Sequence, residues 1–138
     1  MRSLLFHCKN YKTKIESLAK RPRGISPEEV SENDQSCKDC IVALITVENQ
    51  DNLKVTSSAV SVEILKMAQE VGRDIVILLP FAHLSNNLAK SKVSIQTLDL
   101  VENILKEKVK VLRAHFGSHK ELLIDIYGHP GNARYREF

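Results

Sequence analysis

Two apolar runs of strand length, each followed by a helical pattern, constrain this chain most. Cys40 to Val47 reads Cys-Ile-Val-Ala-Leu-Ile-Thr-Val, and Asp74 to Leu79 reads Asp-Ile-Val-Ile-Leu-Leu. Neither alternates apolar with polar residues, so each is expected to be a strand buried on both faces. After the first, Val60, Ile64, Met67, Ala68 and Val71 recur at helical spacing, with Gly72 as a stop. After the second, Leu98, Val101, Ile104 and Leu105 do the same, with Ser91 or Ser94 as a cap. A buried strand, a helix and a further buried strand imply right-handed crossovers and parallel pairing.

The ends of the chain read differently. Leu4, Phe6 and Cys8 alternate with Leu5, His7 and Lys9, and Tyr11, Thr13 and Ile15 alternate with Lys12, Lys14 and Glu16. These predict two strands with a hairpin turn at Lys9-Asn10, since Asn tolerates left-handed backbone. Lys20 to Asp39 holds two prolines, a glycine and blocks of charge, and reads as a loop. A helical turn is expected within it, with Ser26 as cap, Pro27 first and Glu29 completing a capping box. Val109 to Phe116 and Leu122 to Tyr127 predict a terminal hairpin across Gly117 to Glu121, and Gly128-His129-Pro130-Gly131 predicts a turn. The expected fold class is therefore α/β, a single domain over residues 1–138 with a mixed β-sheet and helices.

Composition excludes several classes. The chain has 138 residues, 43% hydrophobic and 27% charged, which suits one globular domain rather than a disordered chain. No run of about 18 apolar residues is present, so no membrane-spanning helix is expected. The polar Lys9-Asn10 arrives too early for a signal peptide, and three cysteines do not make a disulfide scaffold, so the expected compartment is cytoplasmic. Net charge is only +3, which does not announce a nucleic-acid protein. Basic residues do cluster, at Lys9 to Arg23 and at Lys106 to Lys120, and acids cluster at Glu28 to Asp34. Ordinary solvated faces account for such blocks, although two basic stretches meeting in space would suit phosphates.

Few motifs carry chemistry. Cys37-Lys38-Asp39-Cys40 is a CxxC, but it enters a buried strand rather than a helix N-terminus, and zinc would need two further ligands. Pro80-Phe81-Ala82-His83-Leu84-Ser85 directly follows a buried strand, where open α/β sheets place ligands. His83 there either titrates in a crevice or only orients a loop. In Phe116-Gly117-Ser118-His119-Lys120, Gly117 permits close backbone approach, and Lys120 is either an anchor for phosphate, water or hydroxyl, or a surface lysine. His7, on the strand face opposite Phe6, is either hydrogen-bonded in the core or turned to a cleft. No P-loop, dinucleotide fingerprint, HExxH, GxSxG or Ser-His-Asp arrangement is legible. An enzyme built here needs an activated substrate, or one that brings its own catalytic group.

Several segments stand in an order that resembles one family. They are Met1-Arg2-Ser3-Leu4-Leu5-Phe6-His7, Val42 to Glu48, Pro80 to Ser85 with Leu88-Ala89-Lys90, Phe116-Gly117 followed by Lys120, and Gly128-His129-Pro130. Together they resemble the N-terminal editing domain of archaeal threonyl-tRNA synthetases, over essentially the whole chain. The resemblance implies a D-aminoacyl-tRNA deacylase-like fold, a homodimer, and hydrolysis of L-seryl-tRNA(Thr) without metal or cofactor. Its partners would be the 3′ end of tRNA(Thr) carrying serine, and aminoacylation and anticodon-binding domains in cis or in trans. The terminal adenosine's 2′-hydroxyl is implied to help activate water.

Carried over by position, Lys120 and His83 are the expected catalytic side chains. Val47, Pro80, Phe81, Ala82, Phe116, Gly117 and His119 are the expected substrate-binding residues. His119 stands where a relative has tyrosine. The family pattern has an acidic residue three positions after the proline, where this chain has Ala133; Glu137 is a distant substitute. Other classes remain open on the same residues: a D-aminoacyl-tRNA deacylase, a non-catalytic module binding an amino acid or adenosine, and a CxxC metal or redox protein.

Overall fold

The computed structural model describes residues 1–138. Six strands and two helices follow one another as β1 (Arg2–Leu18), β2 (Asp34–Thr46), α1 (Leu53–Glu70), β3 (Ile75–Pro80), α2 (Ser91–Lys106), β4 (Lys110–Arg113), β5 (Ser118–Ile126) and β6 (Ala133–Glu137), with a 3-10 turn at Ala82–Leu84. The strands form one mixed sheet in the order β4-β3-β2-β1-β5, and β6 also pairs with β1. The pairs β2–β3 and β3–β4 are parallel, as the two crossover helices require, and β1 is antiparallel to β2, β5 and β6. The mixed α/β single domain expected from the sequence is the one found.

Both faces of the sheet are apolar, which is why β2 and β3 show no alternation. Leu5, Ile41, Ala43, Ile45, Val76 and Leu78 pack against Val60, Ile64 and Met67 of α1 and Leu98, Val101 and Leu105 of α2. The other face gathers Cys8, Tyr11, Cys40, Val42, Leu44, Ile77, Leu79 and Ala114, with Ile124 and Ile126 of β5 against it. Asn52 caps α1 by accepting from the Val55 amide at 3.2 Å, and Gly72, at φ +65°, ends it as expected.

Four expectations need correction. The first two strands are one continuous strand. The pairing of β1 with β5 shifts register between Cys8 and Asn10, and opposite, on β2, Asp39 has φ +51°. The irregularity reverses which residues face inward: Leu4, Phe6 and Cys8 lie on one face before it, and Tyr11 continues that face after it. A change of phase thus imitated a turn. The terminal hairpin does not exist, because β4 pairs with β3 and β5 with β1, at opposite ends of the sheet order. No helix forms after Ser26, and β2 begins at Asp34, inside the expected loop. Neither Ser91 nor Ser94 caps α2; the cap position is Lys90, and the Ser91 hydroxyl instead accepts from the Ser26 amide at 3.1 Å.

Candidate functional site

The parallel strands β2 and β3 end side by side, Ile45 opposite Pro80. The pairing continues past the strand ends into the segment that follows β3. The Phe81 amide donates to the Ile45 carbonyl at 2.9 Å, and the Thr46 hydroxyl donates to the Phe81 carbonyl. Farther along, the Ala89 amide donates to the Val47 carbonyl at 3.0 Å. Val47 is buried beneath this segment, Phe81 and Pro80 are half-buried, and Ala82 and His83 are exposed on the 3-10 turn. The His83 ring meets Phe81 edge-on, with centroids 5.1 Å apart.

A buried ionic cluster braces this segment from below. The Met1 ammonium pairs with Glu48 at 3.1 Å and with Asp51, and donates to the Phe138 carbonyl at 3.2 Å. Arg2 donates to Glu48 at 3.1 Å and to the Leu84 carbonyl at 3.3 Å, and the Ser85 hydroxyl donates to Glu48. Burial by itself pushes the Glu48 carboxyl upward, but Ser85, the Met1 ammonium and Arg2 overcome it and hold it below its ordinary value. The stabilisation this represents is present above the ordinary Glu range and fades as pH falls through the depressed value. Glu48→Gln keeps the shape but leaves the Met1 ammonium short of one partner. It is expected to cost about 2 kcal/mol at pH 7 and less at pH 3, read as the urea midpoint at each pH. Equal losses at both pH values would refute the ionic account.

The second group lies between β4 and β5. The chain leaving β4 crosses the end of β3, where the Ala114 amide donates to the Leu78 carbonyl at 2.8 Å. Phe116 then packs on the helix-side core, whereas Phe81 packs on the opposite one. Gly117, at φ +83°, turns the chain into β5; a Cβ there would lie 2.7 Å from Pro27 Cα. Lys120 sits on β5 opposite Ile15 of β1, and its ammonium donates to the Ser118 carbonyl at 3.2 Å. Burial brings its pKa down to about 8, against an opposing pull from Glu28. His119, its neighbour, is exposed on the other side of the strand.

Thus the expected residues fall into two sets, Val47 with Pro80–His83 at the ends of β2 and β3, and Phe116–Lys120 at the start of β5. Phe81 of the first and Phe116 of the second pack on different cores, and no hydrogen bond joins His83 to Lys120. Sequence reasoning missed three contributors. His115 Nε2 donates to the Glu28 carbonyl at 2.8 Å, which leaves Nδ1 as acceptor for the Ser118 hydroxyl at 2.9 Å. Glu28 accepts from the Phe116 amide at 3.0 Å and pairs with Arg113. The early signs of Glu28 were its place after Pro27, which the capping pattern assigned to a helix, and its membership of the acidic cluster.

Other candidates lie elsewhere. Ala133 is exposed on β6, opposite Phe6, and Glu137 is exposed opposite Arg2. His7 is 6% exposed; its Nε2 accepts from Arg73 at 2.9 Å, so Nδ1 carries the proton that bonds His129 Nε2 at 2.7 Å. That cluster sits beside Ile41 of β2, six residues before Val47, which follows the strand's end, and so roughly 20 Å from it along the chain. Cys8 faces Cys40 across the strands, and burial pushes the Cys8 thiol up to about 12 and Cys40 higher, opposite to what a reactive thiol requires. No group of three His, Cys, Asp or Glu side chains is arranged to hold a metal ion, and no helix is long and apolar enough to cross a membrane.

Comparison with known proteins adds what geometry alone does not. Residues 1–138 match the family described as the archaea-specific editing domain of threonyl-tRNA synthetase. A threonine–tRNA ligase editing subunit of Saccharolobus solfataricus is 42% identical over 104 residues, 75% of this chain and 27% of that protein. Threonine–tRNA ligases of Staphylothermus marinus and Pyrococcus horikoshii are 36% and 37% identical over 136 residues, each covering 94% of this chain and 21% of the relative. The chain therefore spans only about a quarter or less of the length of these curated relatives. Among solved structures, a c-Myc DNA unwinding element binding protein superposes with a TM-score of 0.61 at 11% identity, over 100% of this chain and 99% of that one. At that identity the likeness concerns fold alone, and the fold is D-aminoacyl-tRNA deacylase-like, as the sequence resemblance implies.

Proposed function

Because the chain belongs to the archaea-specific editing-domain family of threonyl-tRNA synthetase, we propose that it removes serine from mischarged L-seryl-tRNA(Thr). The observation that carries the reading is Lys120, a partly buried ammonium brought down to about 8 at the end of the Gly117 turn. At neutral pH such a lysine remains mainly a cation with little water around it. A desolvated donor of this kind stabilises negative charge developing on an ester carbonyl. Water attacks that carbonyl, the terminal adenosine's 2′-hydroxyl relays the proton, and the 3′-oxygen leaves protonated, giving serine and free tRNA.

A base supplied by the RNA suits the histidines present. Both nitrogens of His115 and both of His7 are committed to hydrogen bonds. His83 is exposed, its ring edge-on to Phe81, and in this reading it meets the substrate from that segment. Backbone groups of Pro80–His83 and Phe116–Gly117 would hold the adenosine and the amino acid. Val47 and Phe81 would close the space where threonine carries its extra methyl. Serine needs such a second pocket because a missing methylene is discriminated only about 10–200-fold in a single one. A homodimer and companion synthetic domains belong to the same proposal.

The test is deacylation of Ser-tRNA(Thr) and Thr-tRNA(Thr) by the purified chain, with a 2′-deoxy terminal adenosine and D-seryl esters as further arms. Loss of L-serine alone, stopped by the 2′-deoxy substitution, is the expected result. Preference for the D-ester would make the chain a D-aminoacyl-tRNA deacylase. Hydrolysis of neither ester would overturn catalysis by this chain.

A further inference from the structure

Residues 19–33 form neither helix nor strand, yet Glu28 within them is fixed at four points. Its amide donates to the Phe116 carbonyl at 3.2 Å, and its carboxylate accepts from the Phe116 amide at 3.0 Å. Its carbonyl accepts from His115 at 2.8 Å, and its carboxylate also pairs with Arg113. The preceding Pro27 lies so close to Gly117 that only glycine fits there. From His115 the contacts continue through the Ser118 hydroxyl, and the Ser118 carbonyl receives the Lys120 ammonium. Glu28 and Lys120 are thus the two ends of one connected set.

The charge balance points the same way. Arg113, 13% exposed, is surrounded by Glu28, Asp99 and Glu102, and Glu102 also pairs with Lys106. Two cations against three carboxylates leave one negative charge uncompensated, and Glu28 pulls the Lys120 pKa upward without pairing with it, against the larger effect of burial. No other carboxylate competes from close by. Ile15, opposite Lys120, is apolar, and the flanking Lys14, Glu16, His119 and Glu121 are all exposed to water.

We propose that Glu28 is a positioning residue of the deacylation site, fixing the Phe116–Gly117 backbone at the turn that carries Lys120. The inference rests on the deacylase reading above.

The test compares Glu28→Gln, Lys120→Met and the double variant of the full chain on Ser-tRNA(Thr), with the wild type alongside. Glu28→Gln is expected to lower kcat about tenfold with KM within about twofold, and to cost nothing further once Lys120 is methionine, because members of one hydrogen-bond network couple. A wild-type kcat in Glu28→Gln, or the same fold loss in both backgrounds, would overturn the proposal. An inactive wild type would overturn the deacylase reading instead. The electrostatic link is then read from the Lys120 side-chain NMR titration, whose midpoint falls in Glu28→Gln if Glu28 acts on Lys120. An unmoved midpoint overturns that coupling, and Glu28→Ala, checked by circular dichroism, shows whether the clamp is needed for folding.

Discussion

Gly117→Ala is expected to destabilise the chain by about 3–4 kcal/mol, measured by urea unfolding. Two costs combine. An L side chain at φ +83° is strained by about 1–2 kcal/mol. The new Cβ would also lie 2.7 Å from Pro27 Cα and 2.9 Å from Pro27 Cβ, and neither atom is the end of a flexible side chain. Relief requires moving residues 27–28 away, which breaks the Glu28 contacts with Phe116 and His115 and buries unpaired polar groups. Gly72→Ala supplies the comparison. It has φ +65° with nothing within 4 Å of the added carbon, so it bears the strain alone and should cost about 1 kcal/mol. Equal losses at the two glycines would mean that Pro27 yields freely and that no clamp exists.

Lys120→Met is expected to change activity and stability in opposite directions. Removing the ammonium should slow seryl-tRNA(Thr) hydrolysis by about a hundredfold. The same change should stabilise the fold at pH 7, since it deletes a cation that burial disfavours. The sign follows from linkage. The Lys120 pKa is about 8 in the folded chain and about 10.4 when unfolded, so between those values the unfolded chain binds more protons. Wild-type stability therefore gains with pH from about 8 to 10.4 through this group, and the advantage of methionine fades over that interval. A pH-7 gain on the order of 1–2 kcal/mol is expected, reduced from the full shift because the side chain is partly exposed. The rate should follow the cation, falling as pH rises through about 8 once uncatalysed ester hydrolysis is subtracted. A methionine variant with wild-type rate, or one destabilised equally at pH 7 and pH 10, would refute this account.

What was legible in the sequence divides along physical lines. β2, β3 and both helices could be read because burial on two faces or on one stripe writes a direct pattern into composition. β1 was misread because its alternation changes phase beside Asp39, and no single residue type announces such an irregularity. β6 was invisible, since Ala133 to Glu137 carries two arginines and a glutamate on an edge, where charge guards against further pairing. The hairpin between β4 and β5 was inferred from nearness along the chain, while the pairing was decided by which edges of the sheet were vacant. The residues of the candidate site were named through resemblance, but their supports were not. Glu28 and His115 act through backbone contacts that link positions 85 or more residues apart, and sequence spacing holds no record of those.

The placement of β1 also bears on how the chain comes into being. It is synthesised before every strand it pairs with and ends as an inner strand, with β2 along one edge and β5 and β6 along the other. That second edge waits for residues 118–137, which are synthesised about a hundred residues after β1. Until then a strand of 17 residues presents unpaired amides and carbonyls, an open template for a neighbouring nascent chain. Closure therefore depends on contacts between strands about a hundred residues apart in sequence, which form slowly because so long a loop must be closed. Translation speed and chaperone supply, rather than final stability, should govern how much of this protein reaches its native state.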